Sequence, residues 1–255
     1  MDITQIKTNE IEPKSKTYST LTELEKAFCK RLMYQKANLH KALAVIVLLS
    51  SLLPGRHLFA QPSIEWIYKG GGAYAQKAYS IQTTDDGGYI VTGSSKNING
   101  YDYRLVKLDA SGSVEWDGKY GGSDSDIATS VQTTDDGGYI VTGNSRSDDG
   151  DVSVYNGDGS MDYWVVKFDG LGTILWEETY GGTSNEYAES IQQTNDGGYI
   201  VAGYSWSDDG DVSGNNGIKD YWVVKLYSSG IIQWESNYGG SSYDSAKSVQ
   251  QTDDG

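Results

Sequence analysis

Two loops in this sequence carry oxygen-bearing side chains at a spacing that could hold a cation. Both contain the heptapeptide Ser-Asp-Asp-Gly-Asp-Val-Ser, at 147–153 and at 207–213, and each is followed by Asn, Gly and a further Asp. Clustered carboxylate and amide oxygens on a loop that glycine allows to bend are the ligands that Ca²⁺ favours. Ca²⁺ is therefore the candidate metal. The candidate ligands are Asp149, Asp151, Asp162, Asp209, Asp211 and Asp220.

The alternative is that both loops are ordinary solvated turns, since Asp and Gly are also the usual residues of tight turns. The spacing does not complete an EF-hand, because the glycine comes too early and no Glu closes the loop. Both interpretations stay open at the level of sequence. No other cofactor is expected.

Aromatic side chains in the same loops could stack on a carbohydrate ring, because aromatic faces are large, rigid and apolar. Tyr204 and Trp206 lie in the second loop and Tyr155 in the first, and these three are the candidate ligand-binding residues. Four other tryptophans recur in phase with the strands, so we expect them to be packing residues. They are Trp66, Trp116, Trp176 and Trp234.

The remaining polar residues that could take part in chemistry recur with turns and strands. Asp85-Asp86 and Asp135-Asp136 precede Gly-Gly, and neighbouring turn residues do not present opposed carboxylates to a glycosidic bond. Residues 61–255 contain no His or Cys, which removes the imidazole base and a thiolate or imidazole zinc site there. Serines recurring with glutamines on one strand face could line a polar channel, at Ser80, Ser130 and Ser190. No catalytic residue is assigned.

A repeated unit positions all these side chains. The sequence from Ser80 to Gly93 returns at 130 and 190 and begins again at 248. Each of the four tryptophans stands 14 residues before the serine that opens a copy (66 to 80, 116 to 130, 176 to 190, 234 to 248). Only the segment from the closing glycine to the Asp before the third strand changes, at 9, 19 and 17 residues (93 to 102, 143 to 162, 203 to 220). Repetition at this spacing predicts stacked supersecondary units.

Each unit has the pattern of four short β-strands joined by hairpin turns, which in the first copy cover 78–83, 89–92, 103–108 and 113–116. Four such strands make one propeller blade. The sequence therefore predicts an all-β fold, an incomplete β-propeller of about three four-stranded blades plus partial blades. A β-solenoid is the rival, although its coils are usually shorter. Lysines within the apolar third strands should pair with carboxylates or reach the surface.

The chain divides near residue 60. Residues 33–60 have the pattern of a signal peptide, with basic residues, a short apolar run at 42–53 and a small residue, Ala60, before the expected cleavage point. We expect this segment to be helical. Residues 1–32 are interpreted as a non-native or extended N-terminal segment. The repeat domain spans 61–255, with repeats at 80–129, 130–189 and 190–247, partial units at 63–79 and 248–255, and an expected truncation at its C-terminus.

Charge separates the two parts as well. Residues 1–60 hold nine of the 20 Lys and Arg residues, whereas 30 of the 35 Asp and Glu residues lie after them. A strongly acidic repeat domain argues against binding to nucleic acid, whose phosphates require Lys and Arg. Contact with a membrane is expected only through the signal segment during export.

Three motifs carry a resemblance to a known group of proteins. Thr-Asp-Asp-Gly-Gly-Tyr-Ile-Val-Thr-Gly, Asp-Tyr-Trp-Val-Val-Lys, and Gly-x-x-x-Trp followed by Tyr-Gly-Gly resemble the tandem repeats of secreted Bacteroidetes proteins, which are often cargo of type IX secretion. A weaker likeness is to quinoprotein-type propeller repeats, carried by Asp109, Gly112 and Trp116; in the third copy Tyr227 replaces the Asp. The second likeness implies a packing role for the tryptophans.

These observations predict a secreted or cell-surface protein of a Gram-negative bacterium. The periplasm is the alternative location. Its expected role is a binding or structural scaffold for a glycan, for a surface protein or for missing blades of its own chain. The alternative is a propeller enzyme, either a carboxylate- or calcium-dependent hydrolase or lyase, or a quinoprotein-like oxidoreductase, whose site lies partly in those missing blades.

Overall fold

The computed structural model describes residues 66–69, 74–153 and 159–254, which belong to one compact unit, Ile64–Gly255. These residues form twelve β-strands and no helix. Across the described ranges there is accordingly no helix of the length and apolarity needed to cross a membrane. The predicted signal segment 33–60 and the segment 1–32 lie outside the described residues.

The strands form three four-stranded antiparallel sheets in which neighbours follow chain order. The first sheet contains β1 (Gln76–Thr83), β2 (Tyr89–Lys96), β3 (Tyr101–Leu108) and β4 (Val114–Tyr120). The second contains β5 (Asp126–Thr133), β6 (Tyr139–Ser145), β7 (Asp162–Phe168) and β8 (Ile174–Tyr180). The third contains β9 (Glu186–Gln193), β10 (Tyr199–Ser205), β11 (Tyr221–Leu226) and β12 (Ile232–Tyr238). The all-β prediction is confirmed, and the sheets follow one another in a propeller-like arrangement.

The turn between β1 and β2 explains the repeated Asp-Asp-Gly-Gly. Gly87 adopts a φ of 81°, which side-chain-bearing residues rarely take, and its N–H donates to the carbonyl of Thr84. The carboxylate of Asp86 accepts a hydrogen bond from the N–H of Gly88 at 2.9 Å. The second aspartate of the pair is therefore held within the hairpin turn.

A buried lysine connects this turn to the sheet. Lys107 on β3 is only 3% exposed, and its Nζ lies 2.7 Å from Asp86 Oδ2 and 2.7 Å from Glu115 Oε2. The other two sheets repeat the pairing, as Lys167–Asp136 at 2.9 Å and Lys225–Asp196 at 2.9 Å. The predicted carboxylate pairing of these lysines is confirmed, and it removes the cost of an unpaired buried ammonium.

The first strand of each sheet contacts the first strand of the next. We call each contact between neighbouring sheets a seam. Ser80 Oγ accepts a hydrogen bond from Val131 N at 3.3 Å, and Ser130 Oγ accepts one from Ile191 N at 3.4 Å. The recurrent serines, proposed above as channel-lining groups, thus bond to the backbone of the following sheet.

Aromatic residues complete each seam. Tyr103 Oη donates to Trp164 O at 2.9 Å, and Tyr163 Oη donates to Trp222 O at 3.1 Å. Tryptophans on the fourth-strand positions pack against the tyrosine that opens the second strand of the next sheet. The ring-centroid distances are 5.2 Å for Trp66–Tyr89, 5.9 Å for Trp116–Tyr139 and 5.9 Å for Trp176–Tyr199. Trp234, at the same position in the third sheet, is 45% exposed.

Candidate ligand-binding site

The two Ser-Asp-Asp-Gly-Asp-Val-Ser loops are anchored to the backbone that links one sheet to the next. Three consecutive amides of the first link donate to three different carboxylates. The acceptors are Asp151 for Gly121 N at 3.0 Å, Asp126 for Gly122 N at 2.8 Å and Asp149 for Ser123 N at 2.6 Å. Two of the candidate calcium ligands are therefore engaged in holding the loop.

The second loop repeats this arrangement with one change. Gly181 N donates to Asp211 at 3.2 Å, Gly182 N to Glu186 at 2.9 Å and Thr183 N to Asp209 at 2.8 Å. Glu186 on β9 takes the place that Asp126 on β5 has in the first arrangement. Because the two loops share this anchor, their entry from the scaffold is fixed while the segments beyond it differ.

The central carboxylate of each anchor is fully buried. Asp126 accepts hydrogen bonds from Ser145 Oγ at 2.5 Å and Ser147 Oγ at 3.0 Å, in addition to the linking amide. Burial raises the pKa of Asp126 to about 6, although the hydrogen bonds from Ser145, Gly122 and Ser147 act in the opposite direction. Burial likewise raises the pKa of Glu186. Neither carboxylate is exposed to solvent, so neither offers an accessible acid to a substrate.

The remaining candidate calcium ligands, Asp162 and Asp220, are also fully buried. Asp220 Oδ2 accepts a hydrogen bond from Asn216 N at 2.7 Å. Within the described parts of the chain, no group of three or more His, Cys, Asp or Glu side chains is arranged to hold a metal ion. Calcium binding by the two loops stays a prediction.

Aromatic side chains gather where the second loop leaves the third sheet. Tyr187 on β9 and Tyr204 on β10 are register partners, and their rings stack with centroids 5.4 Å apart. Trp206, directly after β10, lies edge-on to both, at 5.2 Å from Tyr204 and 5.6 Å from Tyr187. All three side chains are half-buried. Because Tyr187 contacts both other rings, the predicted Tyr204–Trp206 pair is part of a larger aromatic group.

Two lysines approach the same rings. Lys219 Nζ lies 4.0 Å from the ring centroid of Tyr204, 5.2 Å from that of Trp206 and 5.9 Å from that of Tyr243. Lys247 Nζ lies 5.2 Å from the Tyr204 centroid and forms an ion pair with Glu189. Cations at these distances are attracted by the ring quadrupoles. We call this set the aromatic–lysine cluster: Tyr187, Tyr204, Trp206, Lys219, Tyr243 and Lys247.

Among the described residues, the aromatic–lysine cluster has no counterpart at the first or second sheet. The positions of Tyr187, Tyr204 and Trp206 at the third sheet correspond to Ile127, Asn144 and Arg146 at the second sheet, and to Lys77, Ser94 and Lys96 at the first. Asn144 has a packing role in the second seam, where its Oδ1 accepts the N–H of Ala188 at 2.7 Å. The tyrosine, tryptophan and serine contacts recur at both seams, so an aromatic group that occurs at one sheet only is a candidate for a role beyond folding.

Sequence reasoning found Tyr204 and Trp206 and missed the other four members. Tyr187 could have been found by pairing the first and second strands, since it lies opposite Tyr204. Lys219, Tyr243 and Lys247 come from two further segments. Lys219 and Tyr243 meet through a bridge that joins the second loop to the segment after β12. Tyr155, the third candidate, lies outside the described residues.

No model of a known protein family matches this chain, and no curated protein with which it was compared matches it.

Proposed function

We propose that this protein is a secreted or cell-surface bacterial repeat protein that serves as a binding scaffold, with the aromatic–lysine cluster as its ligand-binding site. The observation that carries the proposal is that, among the described residues, this cluster occurs at the third sheet only, whereas the tyrosine and tryptophan contacts recur at both seams. Function placed in loops on a rigid frame is a common arrangement. The cluster also lies at the end of a loop whose length differs between repeats.

The ligand that this chemistry suits best is a glycan. Tyr243 is 66% exposed, and Trp206 is half-buried, so both leave ring surface that can contact the apolar face of a sugar. Tyr204 is less available, because Tyr187 stacks on its ring and Lys219 lies over it. We therefore assign sugar contact to Trp206 and Tyr243, with Tyr204 and Tyr187 as their support. A surface protein is the other partner class for the same residues.

The finer architecture that we propose is an incomplete β-propeller of three blades with partial units on either side. Its support comes from the start of the fourth copy, which lies against the third sheet as β9 lies against the second. Val249 N donates to Ser190 Oγ at 3.3 Å, and Gln251 N donates to Gln192 Oε1 at 2.6 Å. Further blades of the same kind, belonging to a longer chain, are the structural partners that this arrangement suits.

The proposed secreted or cell-surface location rests on the signal-like segment 33–60 and on the resemblance of the repeats to secreted proteins. The enzyme alternative gains no support from Asp126 and Glu186, because these two carboxylates are fully buried and hydrogen-bonded. Ca²⁺ remains the candidate metal for the two loops. Its ligands would have to include carboxylate oxygens of the anchoring aspartates, together with backbone carbonyls or water.

A glycan array tests the proposal directly. The wild-type protein and the variant Tyr204→Ala/Trp206→Ala would be labelled and applied to the same set of immobilised neutral and acidic oligosaccharides. We expect the wild type to bind a subset of the glycans and the variant to lose that binding. Thermal unfolding of both proteins controls for folding. Absence of binding to any glycan, with capture of a surface protein that depends on the same two residues, would shift the ligand class to protein.

A further inference from the structure

A groove of about 500 Å³ lies between residues 66–69 and one face of the first sheet. This is the face that would meet a preceding sheet. Val91, Gly93, Arg104 and Val106 form its floor, and Tyr68 and Lys69 form one wall. It is separate from the aromatic–lysine cluster, which belongs to the third sheet. The same face of the second and third sheets is covered by the sheet before it.

The equivalent faces of the second and third sheets show which side chains would fill this groove. Val141 and Val201, which correspond to Val91, are fully buried, whereas Val91 is half-buried. A Cβ added to Gly143 would lie 2.7 Å from Tyr103 Oη, and one added to Gly203 would lie 2.6 Å from Tyr163 Oη. A tyrosine from the third strand of the preceding sheet therefore sits over this glycine in both seams. At Gly93 the nearest atoms belong only to Lys77 and Ala78.

The hydrogen-bond acceptor for such a tyrosine is also in place. Trp164 O and Trp222 O accept the tyrosine hydroxyls in the two seams, and the corresponding carbonyl in the first sheet is that of Arg104. Thr92 Oγ1 donates to this carbonyl at 3.3 Å, and a carbonyl oxygen has a second lone pair for another donor.

Arg104 occupies the register position of Trp164 in the first sheet. Trp164 Nε1 donates to Glu177 at 2.8 Å, and Arg104 binds Asp117, the residue at the same register position, through Nε at 2.9 Å and Nη2 at 2.6 Å. The Tyr103 ring lies 4.4 Å from the Trp164 ring. A tyrosine in the groove would instead meet the Arg104 guanidinium, which also bonds to Gln76 and Tyr68. A guanidinium plane stacks on aromatic rings.

Residues 66–69 provide the backbone edge. Trp66 packs on Tyr89 as Trp116 packs on Tyr139, which places this segment at a fourth-strand position. None of the twelve strands pairs with it. In the first sheet, Val106 pairs with Asp117 and Lys107 with Trp116. An added strand in the same register would set its Lys opposite Trp66 and the preceding Val opposite Ile67.

We propose that this groove binds an extended segment of the type Asp-Tyr-Trp-Val-Val-Lys by strand addition, and that the segment is the third strand of a separate repeat unit. Its alternate side chains Tyr and Val would enter the groove, as Tyr163 and Val165 pack into the core shared with the third sheet. Backbone pairing to 66–69 supplies affinity, and the tyrosine over Gly93 supplies specificity. This interaction is independent of the proposed glycan site.

A fluorescein-labelled peptide with the sequence of residues 162–168 tests the proposal by fluorescence anisotropy against the full chain. We expect saturable binding with a Kd below about 1 mM. Peptide Tyr163→Phe should bind about two- to tenfold more weakly, because it lacks the hydroxyl that donates to Arg104 O. Peptide Tyr163→Ala should lose at least about tenfold. Hydrogen exchange should show new protection in residues 66–69.

The matched protein variants are Val91→Asp and Ile98→Asp. Val91 lies on the groove floor, while Ile98 is 85% exposed in a loop away from it. Val91→Asp should abolish peptide binding without loss of the β circular-dichroism signal, and Ile98→Asp should bind as the wild type does. Equal binding by both variants, or no difference between the peptide and its Tyr163→Ala form, would overturn the proposal. So would a self-associated chain that excludes the peptide, since a second copy would then be the occupant.

Discussion

Trp116 of the first sheet lies directly over Gly172 of the second, so that a Cβ added to Gly172 would come within 3.2 Å of the indole ring. Tyr120 Oη donates to the carbonyl of the same glycine at 2.6 Å. Trp176 and Tyr180 repeat both contacts at Gly230. The glycine therefore serves two purposes, a turn with φ of 85° and a flat surface for the tryptophan of the preceding sheet.

Gly172→Ala should destabilise the fold by more than its backbone strain alone. The matched control is Gly137→Ala, at a φ of 79° with no atom within 4 Å of its added Cβ. Left-handed backbone strain should cost both variants about 1 kcal/mol, and the clash with Trp116 and Tyr120 should add about 1–2 kcal/mol for Gly172→Ala. Urea unfolding measures the difference. Equal losses of unfolding free energy in the two variants would mean that the packing of Trp116 does not require a glycine at position 172.

The seam tyrosines give a second matched pair. Tyr163→Phe leaves the buried carbonyl of Trp222 without its donor and should cost about 1–3 kcal/mol. Tyr221 has the same place in the third repeat but is 36% exposed, so Tyr221→Phe should change the free energy of unfolding by less than about 0.5 kcal/mol. The same denaturation experiment measures both. A comparable loss in Tyr221→Phe would indicate that its hydroxyl has a partner in solution.

The repeat period and the turn chemistry predicted the scaffold well. Gly87 and its Asp-Asp-Gly-Gly turn, the four strands of each unit and the carboxylate pairing of Lys107 all follow from local sequence, because turns and strand alternation are local properties. The spacing of the tryptophans also fixed their phase with the strands. It did not reveal that each one meets a glycine in the next unit.

The candidate site was only partly predictable for a related reason. Tyr204 and Trp206 are close in sequence, whereas Lys219 and Tyr243 meet them only through the bridge between the second loop and the segment after β12. The loop carboxylates show the opposite case. Asp149 and Asp151 lie in a loop with the composition of a cation site. Both carboxylates nevertheless accept hydrogen bonds from backbone amides of the link between sheets. Composition alone does not distinguish these two roles.

The buried loop anchors predict an unusual pH dependence of stability. Burial raises the pKa of Asp126 from 3.8 to about 6, so the folded protein holds this proton more tightly than the unfolded chain does. The associated stabilisation is complete below about pH 4 and is lost as the pH rises through about 6, on the order of 3 kcal/mol. Glu186 acts in the same direction.

The turn carboxylates act at lower pH. The hydrogen bond from Lys107 lowers the pKa of Asp86, so the stabilisation from this pair is present above about pH 4 and is lost in stronger acid. Urea unfolding from pH 3 to pH 7 should therefore show greatest stability near pH 4. Asp126→Asn should reduce the decline between about pH 4 and 6, and Glu186→Gln should reduce the decline in the same direction. An unchanged decline in both variants would assign it to other groups.

Calcium binding by the two loops can be tested by thermal unfolding. If the loops bind Ca²⁺, millimolar Ca²⁺ should raise the Tm, since a ligand specific for the folded state stabilises it by mass action. Asp151→Ala/Asp211→Ala should lower the basal Tm, because it removes the anchors to Gly121 and Gly181. The quantity to compare is therefore the Ca²⁺-induced shift. That shift should vanish in the double variant. A wild-type Tm that does not respond to Ca²⁺ would contradict the hypothesis.

The central claim is that the aromatic–lysine cluster binds the ligand. Titration calorimetry of the strongest array glycan against the wild type, Trp206→Ala and Trp234→Ala tests it most directly, because both variants remove one partly exposed indole. Loss of ring contact in Trp206→Ala should weaken binding by about 1–2 kcal/mol, roughly five- to thirtyfold, while Trp234→Ala retains the wild-type affinity. Wild-type affinity in Trp206→Ala, or an equal loss in both variants, would contradict the assignment.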